Sequence, residues 1–241
     1  MRSHQVVLTW VEEQLASGEL PVGSRLPAER MLAERLAVSR TSVREAIRIL
    51  EAMGVVRSAV GSGPEAGTMV TADPATALGS ALRLHVATSH LPVQDIVATR
   101  VLLETWAAAR ARPGAPSLAL AAALLQEMDE LADHEDRRDI DAFLSLDARF
   151  HVALAEAAGN AVVSAMMGSL RAAIQDYAGR LTANLPQWSS TAARLRGEHA
   201  AILAAVNAGD GGTAAALVAE HIEGYYHDAG LGGFPSDDPG S

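Results

Sequence analysis

The chain contains no cysteine and no lysine. The first absence excludes disulfides and thiolate chemistry, so any metal bound here must be held by nitrogen and oxygen donors. The second leaves all 19 basic side chains as arginine. That usage reads mainly as compositional bias, although the planar guanidinium fork suits bidentate contacts to guanine and phosphate. Positive charge is in deficit, with a formal net charge of −10. No apolar run is long enough to span a bilayer, and the N-terminus lacks a secretory-signal pattern. These absences predict a cytoplasmic protein.

The length, 241 residues, suits two domains. The split is expected near Asp73-Pro74. Residues 1–72 hold eight Arg and eight Glu and are neutral, whereas residues 73–241 hold eleven Arg against twenty-one Asp and Glu. The acidic excess therefore belongs to the second part. Residues 230–241, rich in Gly, Pro, Ser and Asp, read as a disordered tail.

Residues 26–46 carry the densest information. Pro27 suits the start of a helix, where its missing N–H is no loss. Met31, Leu32 and Leu36 recur at helical spacing, and Ala37-Val38 reads as a corner. Ser39 is a suitable N-cap for a second helix. Val43, Ala46, Ile47 and Leu50 form one stripe of that helix, and Arg40, Arg44 and Arg48 form another. Periodicity alone also allows a solvated amphipathic helix. The flanks decide between the two. Residues 4–20 form a helical pattern, 55–60 and 68–71 read as strands, and Gly61 to Gly67 reads as the loop between them. Three helices followed by a β-hairpin make a winged helix-turn-helix. Its second motif helix would enter the major groove, and its wing would lie beside it.

These residues resemble the DNA-binding domain of GntR-family bacterial transcription regulators. The matching stretches are Gly18-Glu19-Leu20-Pro21, Leu26-Pro27-Ala28-Glu29-Arg30, Val38-Ser39-Arg40-Thr41-Ser42-Val43-Arg44-Glu45-Ala46-Ile47 and Gly67-Thr68-Met69-Val70. The resemblance implies DNA contacts at Arg30, Ser39, Arg40, Thr41, Ser42 and Arg44, and at Gly61 on the wing tip. The segment from Gly61 to Ala66 is longer than the usual family wing.

The remainder reads as helix after helix: 74–90, 93–112, 116–134, 138–158, 160–184, 190–208 and 211–228. Pro92, Pro113, Gly159-Asn160 and Gly209-Asp210 separate them. The fold class is mainly α: an N-terminal winged helix-turn-helix plus a C-terminal all-α bundle. Asp147 and His151 stand one turn apart beside Phe143, Phe150 and Leu154. His199 neighbours Ile202 and Leu203, and His221 lies between Leu217 and Tyr225. Taken singly, each histidine suits a hydrogen-bonded core position. Together they offer four nitrogen and oxygen donors from three helices, which suits Zn²⁺ or a similar divalent ion. Trp188 is a weaker candidate for lining a pocket.

The pattern Phe143…Asp147-x-x-Phe150-His151, Glu198-His199-x-x-Ile202 and Gly209-Asp210…His221 resembles the metal-binding version of the FCD effector domain, found in the FadR-like branch of GntR regulators. The resemblance implies Asp147, His151, His199 and His221 as ligands, with Zn²⁺ favoured over Ni²⁺, Mn²⁺ or Fe²⁺. It also implies a small carboxylate effector beside the metal. Arg100 either pairs with that effector or forms an ion pair with Glu104 one turn on, and both readings stay open. The expected protein is a homodimeric DNA-binding repressor, modulated by an organic acid and reading a short inverted repeat. A metal sensor without organic effector is the alternative. A metal-dependent hydrolase is disfavoured for want of a nucleophile motif or a general acid or base beyond the ligands.

Overall fold

The computed structural model describes residues 3–59, 67–71, 73–88, 90–131, 137–181 and 188–230. Gly61 and the expected tail beyond residue 230 lie outside them. The chain divides into two compact units, Met1–Leu78 and Gly79–Ser241.

The first unit holds α1 (Ser3–Ala16), α2 (Glu29–Leu36), α3 (Arg40–Ala52), β1 (Val56–Ala59) and β2 (Gly67–Val70). Its core joins Val7 and Val11 of α1, Leu32 of α2, and Val43, Ala46, Ile47 and Leu50 of α3. The apolar stripe of α3 is thus its inward face, as its spacing predicts. Met31 is an exception on α2: it is exposed rather than part of the core. The corner between α2 and α3 turns at Ala37, in the left-handed region at φ 52°. Ser39 then caps α3, its Oγ accepting from the Ser42 amide at 3.1 Å.

β1 and β2 pair antiparallel, with Val56 opposite Val70 and Ala59 opposite Gly67. A contribution missed from the sequence comes from residues 23–26. The Gly23 and Leu26 amides donate to Val70 and Thr68, and the Val70 amide donates to Ser24. The segment before α2 thereby lines the second edge of β2 and satisfies backbone groups that would otherwise face solvent.

The helix α4 (Pro74–Ala87) crosses the boundary between the units. The second unit continues with α5 (Val93–Ala108), α6 (Pro116–Leu131), α7 (Arg137–Ala157), α8 (Ala161–Leu181), α9 (Trp188–Asn207) and α10 (Gly211–Asp228). Among the described residues it is all helix. Asn160 caps α8 through bonds from the Val162 and Val163 amides. Asp210 caps α10 through the Thr213 amide. α5 packs on α7, α8 and α10, and α9 packs on α6 and α10. Residues on five helices therefore face one interior. Trp188 is buried edge-on to Phe143, with ring centroids 5.3 Å apart, and belongs to that core rather than to the cavity described below.

Gly54 ends α3 at φ 69°, and a Cβ there would lie 2.0 Å from the Asp73 carbonyl oxygen. Gly18 has a similar φ of 78° but open space around it. Gly18→Ala should therefore cost only left-handed strain, about 1 kcal/mol. Gly54→Ala adds a backbone collision and should cost at least about 3 kcal/mol. Hydrogen-exchange protection of the α1 and α3 amides measures both. Equal losses would contradict this packing.

Candidate DNA-reading face and metal centre

The start of α3 presents Arg40, Thr41 and Arg44 to solvent. Ser39 is occupied with capping, and its Oγ lies 2.9 Å from that of Ser42. Two of the implied DNA-contact arginines are already paired. Arg44 Nε donates to Glu29 on α2 at 2.7 Å, and Arg30 donates to Glu34 at 3.2 Å. Such exposed pairs contribute little stability. Their effect is to hold the guanidinium in one direction.

In the second unit, α7 carries Asp147 and His151 on one face, α9 carries His199, and α10 carries His221. Their ligand atoms all lie within 4.8 Å of one another. His151 Nε2 lies 3.1 Å from His221 Nε2 and 3.3 Å from His199 Nε2. Asp147 Oδ1 lies 3.0 Å from His199 Nε2 and 3.7 and 3.9 Å from the other two. A divalent ion bound tetrahedrally at ~2.0–2.1 Å separates its donors by about 3.3 Å. The donor set and its spacing therefore fit such an ion.

The far side of each ring strengthens this fit. His151 Nδ1 pairs with Glu104 on α5 at 2.5 Å, and His221 Nδ1 pairs with Glu198 on α9 at 2.7 Å. An Nδ1–H donated to a carboxylate leaves the neutral ring with its lone pair on Nε2. Two such lone pairs facing each other call for a cation between them. His199 Nδ1 is buried without a hydrogen-bond partner among the described residues.

The surroundings set the charge states. Burial, with neighbouring His199 and His151, pushes His221 down to about 3. Burial also lowers His199, against the pull of Asp147. Burial works against ionisation of Asp147 and Glu104. Arg171 leads the interactions that nonetheless hold both carboxyls well below their usual range, with His151 and His199 helping at Asp147 and His151 and Arg100 helping at Glu104. The centre thus offers an anionic oxygen with neutral imidazoles at His199 and His221, the protonation states that metal ligation requires.

Arg100 forms the ion pair with Glu104, Nε to Oε1 at 2.9 Å, and its Nη1 donates to the Tyr226 hydroxyl at 2.8 Å. It also lines a cavity with Asp147, Arg171, His221 and Tyr226. Both sequence readings of Arg100 thus remain compatible with its position. Glu104 and Glu198 as partners of the histidines, Arg171, and the Tyr226 hydroxyl were not found from sequence. Arg171 does leave a signal there, as a lone charge within the apolar stretch 165–174.

A sequence model described as bacterial regulatory proteins, gntR family, matches residues 5–65, and one for the FCD domain matches residues 95–224. The chain belongs to the GntR family, with an FCD domain. It is a transcription regulator and not an enzyme. Similar curated proteins include LutR of Bacillus subtilis (strain 168), 29% identical over 215 residues, spanning 86% of this chain and 92% of that one. An Escherichia coli (strain K12) protein whose name attaches it to the L-lactate dehydrogenase operon is 31% identical over 211 residues, spanning 84% and 77%. The Glc operon transcriptional activator of the same strain is 28% identical over 179 residues, spanning 69% and 65%. Among solved structures, a GntR protein of Streptococcus agalactiae shares the fold, with a TM-score of 0.62 at 21% identity over 93% of this chain and 99% of that one. GntR regulators bind DNA and typically dimerise. Among the described residues of this GntR-family regulator, no helix is long and apolar enough to cross a membrane.

The histidine shifts set a pH dependence for the metal-free protein. His199 and His221 are lowered from an ordinary value of 6.5. Below that pH the unfolded chain binds protons that the folded unit refuses, so stability falls as pH drops towards about 3 at His221. The loss is on the order of 1 kcal/mol per pH unit per ring. Asp147 and Glu104, held below ordinary values of 3.8 and 4.5, add to it only at lower pH. Calorimetry of chelator-treated protein should show the FCD unit melting at progressively lower temperature from pH 7 to pH 5. A flat or rising Tm would contradict the assignment.

Proposed function

We propose that this regulator is a metal-dependent ligand sensor. Residues 1–72 read a short inverted repeat as a homodimer in the cytoplasm, and residues 73–229 hold a divalent metal, Zn²⁺ in the first instance, together with a small carboxylate effector. The observation that carries the reading is the convergence of three Nε2 atoms and one carboxylate oxygen beside a cavity lined by Arg100 and Arg171. The metal would be held by Asp147, His151, His199 and His221. It would supply a Lewis-acidic centre for an effector carboxylate. Glu104 and Glu198 orient two of the rings, and Arg100 offers a cation to the effector.

The names of similar regulators support a small acid as effector, since one is attached to the L-lactate dehydrogenase operon. The cavity supports the size. Counted as room for the centre of a water molecule, it measures about 40 Å³. At ~10–15 Å³ per water, that holds about three waters, enough for a short acid and too little for a long acyl chain. Effector binding repositions α7, α9 and α10 and changes operator affinity. Repression relieved by effector follows the family resemblance, whereas one relative is named an activator. A mobility-shift titration of the zinc-loaded protein with short carboxylates decides the sign, with release from the operator expected.

On the reading face, Arg40→Ala and Arg44→Ala should each weaken operator binding by at least roughly tenfold, as expected for a base contact worth about 1–3 kcal/mol. Metal content should not change. Normal operator affinity in both variants would remove the assignment. His199→Ala combined with His221→Ala should abolish zinc binding. Glu198→Gln, which leaves all four ligands in place, should weaken it by ~10–100-fold. Full zinc affinity in the double variant would remove the site.

A further inference from the structure

Arg171 of α8 lies at the wall of this cavity and has no role in holding a metal. It is 6% exposed. Its Nη1 donates to Asp147 Oδ2 at 2.7 Å, and its Nη2 lies 3.5 Å from Glu104 Oε2. Its Nε is buried and has no hydrogen-bond partner among the described residues. A buried guanidinium N–H without an acceptor is costly and unusual. The missing acceptor must fit a planar donor edge, and a carboxylate does so bidentately.

The charges around the cavity point the same way. Buried Arg100 and Arg171 are balanced by buried Glu104 and Asp147. A divalent ion among neutral imidazoles adds two positive charges with no further buried anion to offset them. Glu198, half-buried, is engaged by Arg194 at 2.6 Å as well as by His221. Uncompensated charge in such an interior is strongly disfavoured. A ligand with two negative charges restores the balance, whereas a monocarboxylate leaves one charge over.

We propose that Arg171 is the anion seat of this cavity and that its ligand is a short dicarboxylate. One carboxylate sits on the Arg171 guanidinium, and the second offsets the charge of the metal. The inference rests on the metal reading above and deepens it by naming the ligand class. It also gives Arg171 a coupling role. The guanidinium that receives the ligand is the one that holds Asp147, so ligand binding on α8 is felt directly at α7.

The test is calorimetric titration of the full-length, zinc-loaded protein with malonate, succinate and acetate. Either dicarboxylate should bind at least roughly tenfold more tightly than acetate, and Arg171→Gln should abolish that difference while zinc stays at the wild-type stoichiometry. Equal affinity for acetate, or unchanged dicarboxylate affinity in Arg171→Gln, would overturn the proposal and leave the metal site standing. Should Arg171→Gln fail to fold, the wild-type chain suffices. Its metal-free form, with the buried charges balanced, should show no malonate heat, and malonate binding as tight as in the zinc-loaded form would overturn the proposal. Failure of the wild-type protein to take up zinc would overturn both it and the reading beneath it.

Discussion

His151 and His221 turn their Nε2 atoms toward each other at 3.1 Å while their Nδ1 atoms are committed to Glu104 and Glu198. Like poles are thus brought together in a dry interior, and the packing of the helical unit keeps them there. Phe150 stacks 4.6 Å from His199 and lies edge-on to His151, which fixes both rings. The chain contributes three helices to the centre and two more, α5 and α8, to the charges that support it. A cation at the centre turns this mutual repulsion into attraction. That is the reason to regard the donor set as built for a metal rather than as buried histidines satisfied by one another.

The reading head works under a different constraint. Its own charge is neutral and the rest of the chain is acidic, so bulk attraction to a polyanion contributes little. Affinity then depends on where single guanidiniums point. The pairing of Arg44 with Glu29 and of Arg30 with Glu34 keeps those side chains directed before DNA arrives. A neutral head with directed arginines is suited to discriminating sequences more than to holding any duplex.

Much of this was legible in the sequence because the signals are local. The α3 stripe, the Ser39 cap and the Asp147–His151 spacing each lie within one or two helical turns. What escaped is non-local. Arg100 and Glu104 look self-sufficient at one turn's separation, yet Glu104 also serves His151 and Arg171, and Arg100 also serves Tyr226. Those partners come from α7, α8 and α10, and no spacing rule brings them together. The pairing of residues 23–26 with β2 escaped for a similar reason, because the segment lacks the length and alternation of a strand. Met31 misled the pattern because an apolar residue at helical spacing need not face inward.

The central claim is that the four donors form one metal centre. X-ray absorption at the zinc edge of the loaded protein tests it most directly. The account predicts a first shell of nitrogen and oxygen only, at about 2.0–2.1 Å, with outer-ring scattering from three imidazoles. A first shell with fewer than two imidazoles, or one unchanged in the His199→Ala, His221→Ala variant, would contradict it.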